Sequence, residues 1–436
     1  MNEQPKRPND LDAFWMPFTS SRAFKAHPRL VTGAEGCHYI GADGVRRIDG
    51  TGGLWCSNAG HGHPRITEAI QRQAGELDFA HSFGQGHPIA FEAAARLVSM
   101  APGFDQVFLT NSGSEAVDTA LKIALAYHTA RGEGTRRILV GRQKAYHGIN
   151  FGGVSVGGIG LNKGQFGTLY PDAQHMRHTG LPENTFSRGQ PKAGAYLADD
   201  LQQIVDTYGA HRVAAVIVEP VIGAGGVLPP PVGYLERLRK ICDAHGILLI
   251  FDEVITGFGR LGQAFGHQYF DVMPDLFTVA KGVTNATVPM GGVFTQGKIR
   301  DGLLTGPEAM PDLFHGYTYS GHPLAAAACL ATMDVYRDEG IFENAAAMAP
   351  AWEDMLHSLK DAPNVVDVRN LGLMGAVEFA PDGSVGTRAR AVYAALWDLG
   401  LIVRPVGDSI AMSPPLTITA DLIEEIGSLI RGVIGE

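Results

Sequence analysis

The sequence predicts an α/β protein whose larger domain is built on a mostly parallel sheet flanked by helices, with a smaller α+β domain beside it. Short apolar runs bounded by glycine and proline, such as 213–218 (VAAVIV), are typical of strands buried on both faces of a parallel sheet. Segments with helical periodicity, such as 66–77 and 89–100, separate these runs. After about residue 330 the pattern changes to amphipathic helices and short strands, which predicts the second unit.

Length and composition limit the domain organisation and the class of function. The chain has 436 residues, 45% of them hydrophobic and 18% charged, as in a globular protein with a sizeable core. We expect an N-terminal segment (1–60) that packs with the small domain, a large domain (61–328) and a C-terminal small domain (329–436). The net charge of −10 argues against a nucleic-acid surface. No signal peptide and no apolar span of ~18 residues is visible, so we expect no membrane contact.

The four cysteines are scattered and form no CxxC pair. They indicate neither a disulfide framework nor a zinc site, and they are typical of reduced thiols in a cytoplasmic protein. Cys56, His61 and His63 lie close in sequence, but no fourth ligand follows at a useful spacing. We therefore expect no metal.

The stretch 246–281 contains two short apolar runs that end in polar residues. The first run ends at Asp252 and Glu253, and the second ends at Lys281. Ligands of open α/β sheets bind just outside the carboxyl ends of the strands. An acid and an amine there suit pyridoxal phosphate (PLP), which needs a lysine for its Schiff base and an acid beside its pyridine nitrogen. For either residue alone, an ordinary salt bridge or a solvated turn is the structural alternative.

Other predicted strands also end in polar residues. The strand 106–110 leads into Ser112, Gly113 and Ser114 at the start of a long helix, where free N–H groups favour an anion. A capping box of Ser112 and Glu115 is the alternative, and the two are compatible. The strand 213–218 ends at Glu219, which either belongs to the same crevice or caps nearby N–H groups.

Two further passages are ambiguous from the residues alone. The strand 136–141 leads to Tyr146 and His147, which suit either stacking on a planar ring or a plain turn. Trp55 lies in a glycine-rich loop, where the pattern favours a core aromatic. Residues 151–195 are predicted to be loop, because they are rich in Gly, Asn and Pro without clear periodicity.

The sequence FDEVITGFGR followed by PDLFTVAKG resembles the class III (omega) aminotransferases, which are fold-type I PLP enzymes. Within them it is most similar to the β-alanine/ω-amino acid:pyruvate aminotransferases. The likeness extends from WMPFT at Trp15 through SPPL near the C-terminus. It implies that Lys281 and Asp252 are catalytic, the first as the Schiff-base lysine and the second as the partner of the ring nitrogen.

The resemblance also implies binding roles along the chain. The implied cofactor-binding residues are Ser112, Gly113, Ser114, Tyr146, His147, Glu219, Asp252, Val254, Lys281 and Thr318. The implied substrate-binding residues are Trp55, Phe83, Tyr146 and Arg404.

Some of these implied roles need a second subunit or decide the substrate. Thr318, and the loop of Ser82 and Phe83, would reach the neighbouring active site of a homodimer or a tetramer. Arg404 would hold a substrate carboxylate with its planar fork. Some relatives carry Gln at the position of Ala411, so β-alanine itself is in question as the donor.

The implied reaction moves an amino group from an ω-amino acid or a primary amine to pyruvate, giving an aldehyde or ketone and L-alanine. PLP would alternate with pyridoxamine phosphate, and the pKa of Lys281 would lie below the free value of about 10.4. Taurine, 4-aminobutyrate, polyamine or diamine donors, or a 2-oxoglutarate acceptor, are alternatives. So are an aminomutase, a dialkylglycine decarboxylase and a non-catalytic protein. GFGRLG (257–262) fits a dinucleotide fingerprint, but breakers follow it, which argues against a dehydrogenase.

Overall fold

A computed structural model describes residues 11–167 and 169–435. The strands in these ranges are β1 (Val31–Glu35), β2 (His38–Gly41), β3 (Arg46–Asp49), β4 (Gln106–Thr110), β5 (Ile138–Arg142), β6 (Ala173–Met176), β7 (Val213–Val218), β8 (Leu248–Asp252), β9 (Leu276–Val279), β10 (Gly291–Thr295), β11 (Val365–Leu371), β12 (Met374–Phe379), β13 (Leu401–Ile402), β14 (Arg404–Val406) and β15 (Ser409–Met412).

The α-helices in the same ranges are α1 (Ser21–Ala26), α2 (Gly52–Trp55), α3 (Pro64–Glu76), α4 (Pro88–Ser99), α5 (Gly113–Ala130), α6 (Phe151–Val156), α7 (Asp199–Tyr208), α8 (Tyr234–His245), α9 (Gly266–Phe270), α10 (Gly297–Leu303), α11 (Pro323–Asp338), α12 (Ile341–His357), α13 (Thr387–Asp398) and α14 (Ala420–Ile434). Short 3₁₀ turns cover Gly160–Asn162, Pro182–Asn184, Ala195–Ala198, Ala210–Arg212 and Lys281–Thr284.

The central sheet of the described chain has the order β4-β10-β9-β8-β7-β5-β6. β10 is antiparallel to β4 and β9, and the remaining neighbours pair in parallel. Every residue of β7, β8 and β9 is buried, as the continuous apolar runs predict. The carboxyl ends of β4, β5, β7, β8 and β9 therefore meet at one edge, where a ligand site is expected.

Helices cover both faces of this sheet. Alternate strand residues point to opposite faces, so Ile217 and Ile250 pack with apolar residues of α5. Val218 and Phe251 pack instead in the larger cluster that contains apolar residues of α8. The predicted α/β class is confirmed, with a mostly parallel sheet enclosed between helical layers.

Two smaller sheets lie outside the central one. One has the order β1-β2-β3-β13, and its β3 and β13 pair in parallel, which joins the N-terminal strands to the C-terminal part of the chain. The other, β11-β12-β15-β14, is antiparallel throughout. The domain boundary predicted at 328/329 lies inside the continuous helix α11, and the division into 1–60, 61–328 and 329–436 stays a prediction.

The prediction of loop for residues 151–195 is wrong at two places, because α6 and β6 lie within this range. β6 is the edge strand of the central sheet and pairs with β5. Its four residues, AQHM, show no apolar alternation, and the pairing with a distant strand stabilises it. β10 is followed by α10 after a single residue, Gln296. In residues 11–167 and 169–435, no helix is long and apolar enough to cross a membrane.

Candidate active site

Asp252 is the last residue of β8, and its carboxylate is 5% exposed. His147 Nδ1 lies 2.8 Å from Asp252 Oδ2, and the carboxylate makes the ring nitrogen the donor. The other oxygen, Oδ1, accepts the Thr278 hydroxyl at 3.1 Å and the Val254 N–H at 3.2 Å. Three donors from three segments therefore fix the orientation of this buried acid.

Lys281 follows β9 by two residues, so it lies at the same sheet edge as Asp252. Its side chain is half-buried, and its backbone has φ +52, in the left-handed region that is uncommon for a lysine. Burial lowers the pKa of the Lys281 amine, with a further contribution from Arg404. The direction agrees with the value expected of a proton-transferring amine.

The turn between β4 and α5 is a helix N-terminus with free N–H groups. Ser112 is the N-cap, and its hydroxyl accepts the Glu115 N–H at 3.2 Å, which is one half of a capping box; the Glu115 carboxylate accepts the Asn111 N–H at 2.8 Å and not that of Ser112. Ser114 Oγ accepts the Ile149 N–H at 3.1 Å, which ties the start of α5 to the turn after β5. A Cβ on Gly113 would lie 3.1 Å from both methyl groups of Val254, so the turn packs directly on the loop after Asp252.

Glu219 follows β7 and is 3% exposed. Its carboxylate accepts the Tyr146 N–H at 2.8 Å and the Gly223 N–H at 2.9 Å. Arg142 donates to the Glu219 carbonyl oxygen and not to its carboxylate. Burial raises the pKa of Glu219. Both alternatives are observed: the carboxylate caps nearby N–H groups, which holds Tyr146 at the site edge, and it lies in the same crevice as Asp252 and Lys281.

A cavity of about 150 Å³ lies where these elements meet. The predicted residues that line it are Gly113, Ser114, Tyr146, Glu219, Asp252, Val254 and Lys281. Gly148, Ile255 and Ala280 line it as well and were not predicted. Each of the three lies one to two residues from a predicted residue, so sequence proximity alone could have indicated them.

The residues around this cavity fit PLP. Asp252 offers a buried carboxylate for a ring nitrogen, and Lys281 offers an amine for an aldehyde. The N-terminus of α5 offers N–H groups for a phosphate, and the ring of Tyr146 lines the same space. A buried acid, an amine with a lowered pKa and an anion site in one cavity are the groups that this cofactor needs.

Arg404 begins β14 and pairs across the sheet with Ala411. Burial lowers the pKa of its guanidinium, and Tyr146 lies near enough to interact with its charge. In the part of the chain that the structure describes, no carboxylate lies within 4 Å of this side chain as an ion-pair partner. Its charge is therefore available to an anionic ligand.

Trp55 lies outside the cavity lining. It is 2% exposed and has φ +67, and it packs with Ile255 and Ala411 in one apolar cluster. Ile255 of the same cluster lines the cavity, and Trp55 does not. The core position favoured by the sequence pattern is what the structure has, and a wall for substrate stays a prediction.

Phe83 and Thr318 also lie outside the cavity of their own chain, and both are exposed. Ser82 Oγ donates to the Ser320 carbonyl at 2.9 Å, so the loop that carries Phe83 contacts the segment that carries Thr318. The two segments expected to reach a neighbouring subunit therefore form one continuous surface.

His61 and His63 are far from forming a metal site. His61 pairs with Asp49 at 2.8 Å, and His63 pairs with Glu339 at 3.1 Å. Within residues 11–167 and 169–435, no three His, Cys, Asp or Glu side chains are grouped to hold a metal ion.

The GFGRLG passage opens no helix, since a turn occupies 257–262.

Comparisons with known proteins agree with this geometry. Residues 19–434 match the sequence profile of Aminotransferase class-III. An omega-aminotransferase of Caulobacter vibrioides is 56% identical over 98% of each chain, and a beta-alanine–pyruvate aminotransferase of Pseudomonas aeruginosa is 44% identical over 97% of this chain and 96% of its own. An amine transaminase of an uncultivated Pseudomonas species, solved in its PLP-bound form, superposes with a TM-score of 0.90 at 35% identity, covering 98% of this chain and 99% of its own. The chain belongs to the class-III aminotransferases, a family of PLP-dependent enzymes.

Proposed function

We propose that this protein transfers an amino group from an ω-amino acid or a primary amine to pyruvate, with PLP as its cofactor. The observation that carries the proposal is one cavity lined by both Lys281 and the buried carboxylate of Asp252. The names of the relatives in Caulobacter vibrioides and Pseudomonas aeruginosa support the omega donor and the pyruvate acceptor.

The bound cofactor supplies an electron sink for the carbon that carries the amino group. Asp252 keeps a proton on the facing ring nitrogen, because a buried anion favours the charged form of a base beside it. His147 and Thr278 hold the carboxylate in place for that role. Gly113 and Ser114 present the start of α5 to the phosphate.

Lys281 takes a proton from the substrate carbon and returns one in the reverse half-reaction. A base must be partly neutral at the working pH, and burial lowers the pKa of this amine in that direction. Arg404 binds the pyruvate carboxylate. Tyr146, which is held by Glu219, shapes the space between Lys281 and Arg404.

The enzyme acts as a homodimer with shared sites in this proposal. The cavity of one chain, about 150 Å³, is small beside the ~300 Å³ or more of ordinary ligand pockets. Thr318 and Phe83 are exposed on one surface, as residues that complete a neighbour's site would be. Trp15 and Phe314 are 90% and 85% exposed, and such exposed apolar groups favour self-association.

A cytoplasmic location belongs to the same proposal. Cys37, Cys242 and Cys329 are buried free thiols, and Cys56 is a half-buried one. Free thiols persist in reducing compartments.

A panel of amine donors, each offered with pyruvate or with 2-oxoglutarate, tests the reaction. Alanine formed from pyruvate and an ω-amino acid or primary amine is the expected result, and glutamate from 2-oxoglutarate is expected to be minor. Lys281→Ala removes the amine and is expected to abolish turnover with the circular dichroism spectrum unchanged. Alanine production by Lys281→Ala, or glutamate as the main product, contradicts the proposal.

A further inference from the structure

The backbone at Lys281 is held in an unusual conformation. Lys281 has φ +52, and Asn285 and Ala286 at the end of the same 3₁₀ turn have φ +52 and +59. Residues other than glycine rarely adopt this left-handed backbone region unless the surrounding structure imposes it. Contacts around the turn must therefore stabilise it.

Tyr336 of α11 makes one of these contacts. Its hydroxyl donates to the Gly282 carbonyl at 2.7 Å, directly after Lys281. The side chain is 2% exposed, and burial raises its pKa, so the hydroxyl stays a neutral donor. The bond holds the peptide unit between Gly282 and Val283, one residue beyond the reactive lysine.

Asn58 packs on the same turn, beside Tyr336. A Cβ on Gly282 would lie 2.6 Å from Asn58 Nδ2 and 3.0 Å from Phe258 Cβ. Asn58 Nδ2 donates to the Phe258 carbonyl at 2.7 Å, and Asn58 Oδ1 accepts from Arg260 at 2.8 Å. Asn58, which follows Trp55 in the same loop, thus packs against Gly282 of the Lys281 turn, while its hydrogen bonds hold it to Phe258 and Arg260.

Arg260 is fully buried, although both of its hydrogen bonds go to neutral oxygens. Its Nη2 donates to Asn58 Oδ1, and its Nη1 donates to the Pro414 carbonyl at 2.6 Å. Burial lowers the pKa of Arg260 to about 10, so the group is charged at neutral pH. A buried charge without a carboxylate is costly for stability, and it is retained where it holds a specific arrangement.

We propose that Tyr336, Asn58 and Arg260 form a positioning network. The network fixes the position of Lys281 in the cavity relative to the loop that carries Trp55. The network rests on the proposed function, because Lys281 is taken as the reactive amine. None of its members lines the cavity, so they act through the lysine turn and not on substrate. The same lysine serves both half-reactions, and both depend on its position.

Tyr336→Phe in the holoenzyme tests the network, with Tyr170→Phe as the matched control. Tyr170 also donates its hydroxyl to a carbonyl, that of Arg137 at 2.8 Å, at the other end of the sheet. For Tyr336→Phe we expect kcat to fall about tenfold in both half-reactions with KM unchanged. We also expect the pH midpoint of the bound cofactor's absorption to move by about half a unit or more.

Tyr336→Phe is expected to lower the melting temperature more than Tyr170→Phe, because the Tyr336 bond is buried and the Tyr170 bond is exposed, so the absorption midpoint and not the melting temperature separates positioning from general stability. Gly282→Ala provides a second variant that displaces the turn from the Asn58 side, and we expect it to move the same midpoint. The proposal is overturned if the absorption midpoint and the single-turnover rates are unchanged in both Tyr336→Phe and Gly282→Ala. It is also overturned if Tyr170→Phe changes them as much as Tyr336→Phe does. A wild-type protein that binds no PLP is a failure of the proposed function instead, since no absorption then titrates.

Discussion

Replacing His147 by phenylalanine removes the shortest of the three hydrogen bonds to Asp252. The bond from Nδ1 is 2.8 Å long and goes to a buried carboxylate, and such charge-assisted bonds contribute about 1.5–3 kcal/mol. The ring is fully buried and its Nε2 has no partner among the described residues, so phenylalanine fits the same space at little other cost. At 1.36 kcal/mol per tenfold, kcat/KM is expected to fall about 10- to 150-fold.

Thr278→Val is the matched comparison. Its hydroxyl reaches the same carboxylate at 3.1 Å, which is long for an O–H···O bond, so we expect a loss within about tenfold. Alanine formation from pyruvate measures both variants, and dialysis of the holoenzymes measures how tightly each holds the cofactor. Melting temperatures of the apoproteins show whether either substitution disturbs the fold.

The order of the two effects is the decisive result. If Thr278→Val loses more activity than His147→Phe, or if His147→Phe stays within about twofold of the wild type, then hydrogen bonding to Asp252 is not what His147 contributes.

Three further predictions concern other parts of the site. Lys281→Met apoprotein is expected to melt at a higher temperature than wild-type apoprotein at neutral pH, and the difference is expected to shrink toward pH 10.4. Burial lowers the pKa of Lys281, so the folded protein bears a free-energy cost for the charged amine that disappears as the amine loses its proton; a difference that stays constant with pH would contradict this. Arg404→Ala raises the KM for pyruvate about 100-fold while the half-reaction with an uncharged amine donor is spared in stopped-flow absorbance; equal loss of both refutes its role. Gly148→Ala weakens cofactor retention on dialysis, because the residue has φ +86 and its Cβ would lie 2.6 Å from Ser114 Cα, whereas Gly134→Ala meets nothing within 4 Å and should match the wild type.

The sequence was sufficient to predict which residues lie at the carboxyl edge of the central sheet. Strands β7, β8 and β9 are uninterrupted apolar runs, and the polar residue after each is visible from the sequence alone. Because parallel strands end at one edge, Glu219, Asp252 and Lys281 could be predicted to lie together without knowledge of the remaining fold.

The contacts that orient these residues could not be predicted. His147 reaches Asp252 across 105 positions of sequence, and neither residue's neighbours indicate the pairing. The edge strand β6 has no apolar alternation of its own and exists because β5 supplies the hydrogen bonds. The left-handed backbone of Lys281 lies beside a hydrogen bond from Tyr336 to Gly282, and these two residues are 54 positions apart in sequence.

The short parallel pairing of β3 with β13 brings together the two segments that carry Trp55 and Arg404. Trp55 follows β3, and Arg404 follows β13, so two of the residues predicted to bind the substrate are carried by segments close to the two chain ends. Asp252 and Lys281 belong to the central sheet, which these segments do not enter. Evolution or a directed library can therefore vary the preferred amine at 50–57 and 401–412 while the reactive centre is left untouched.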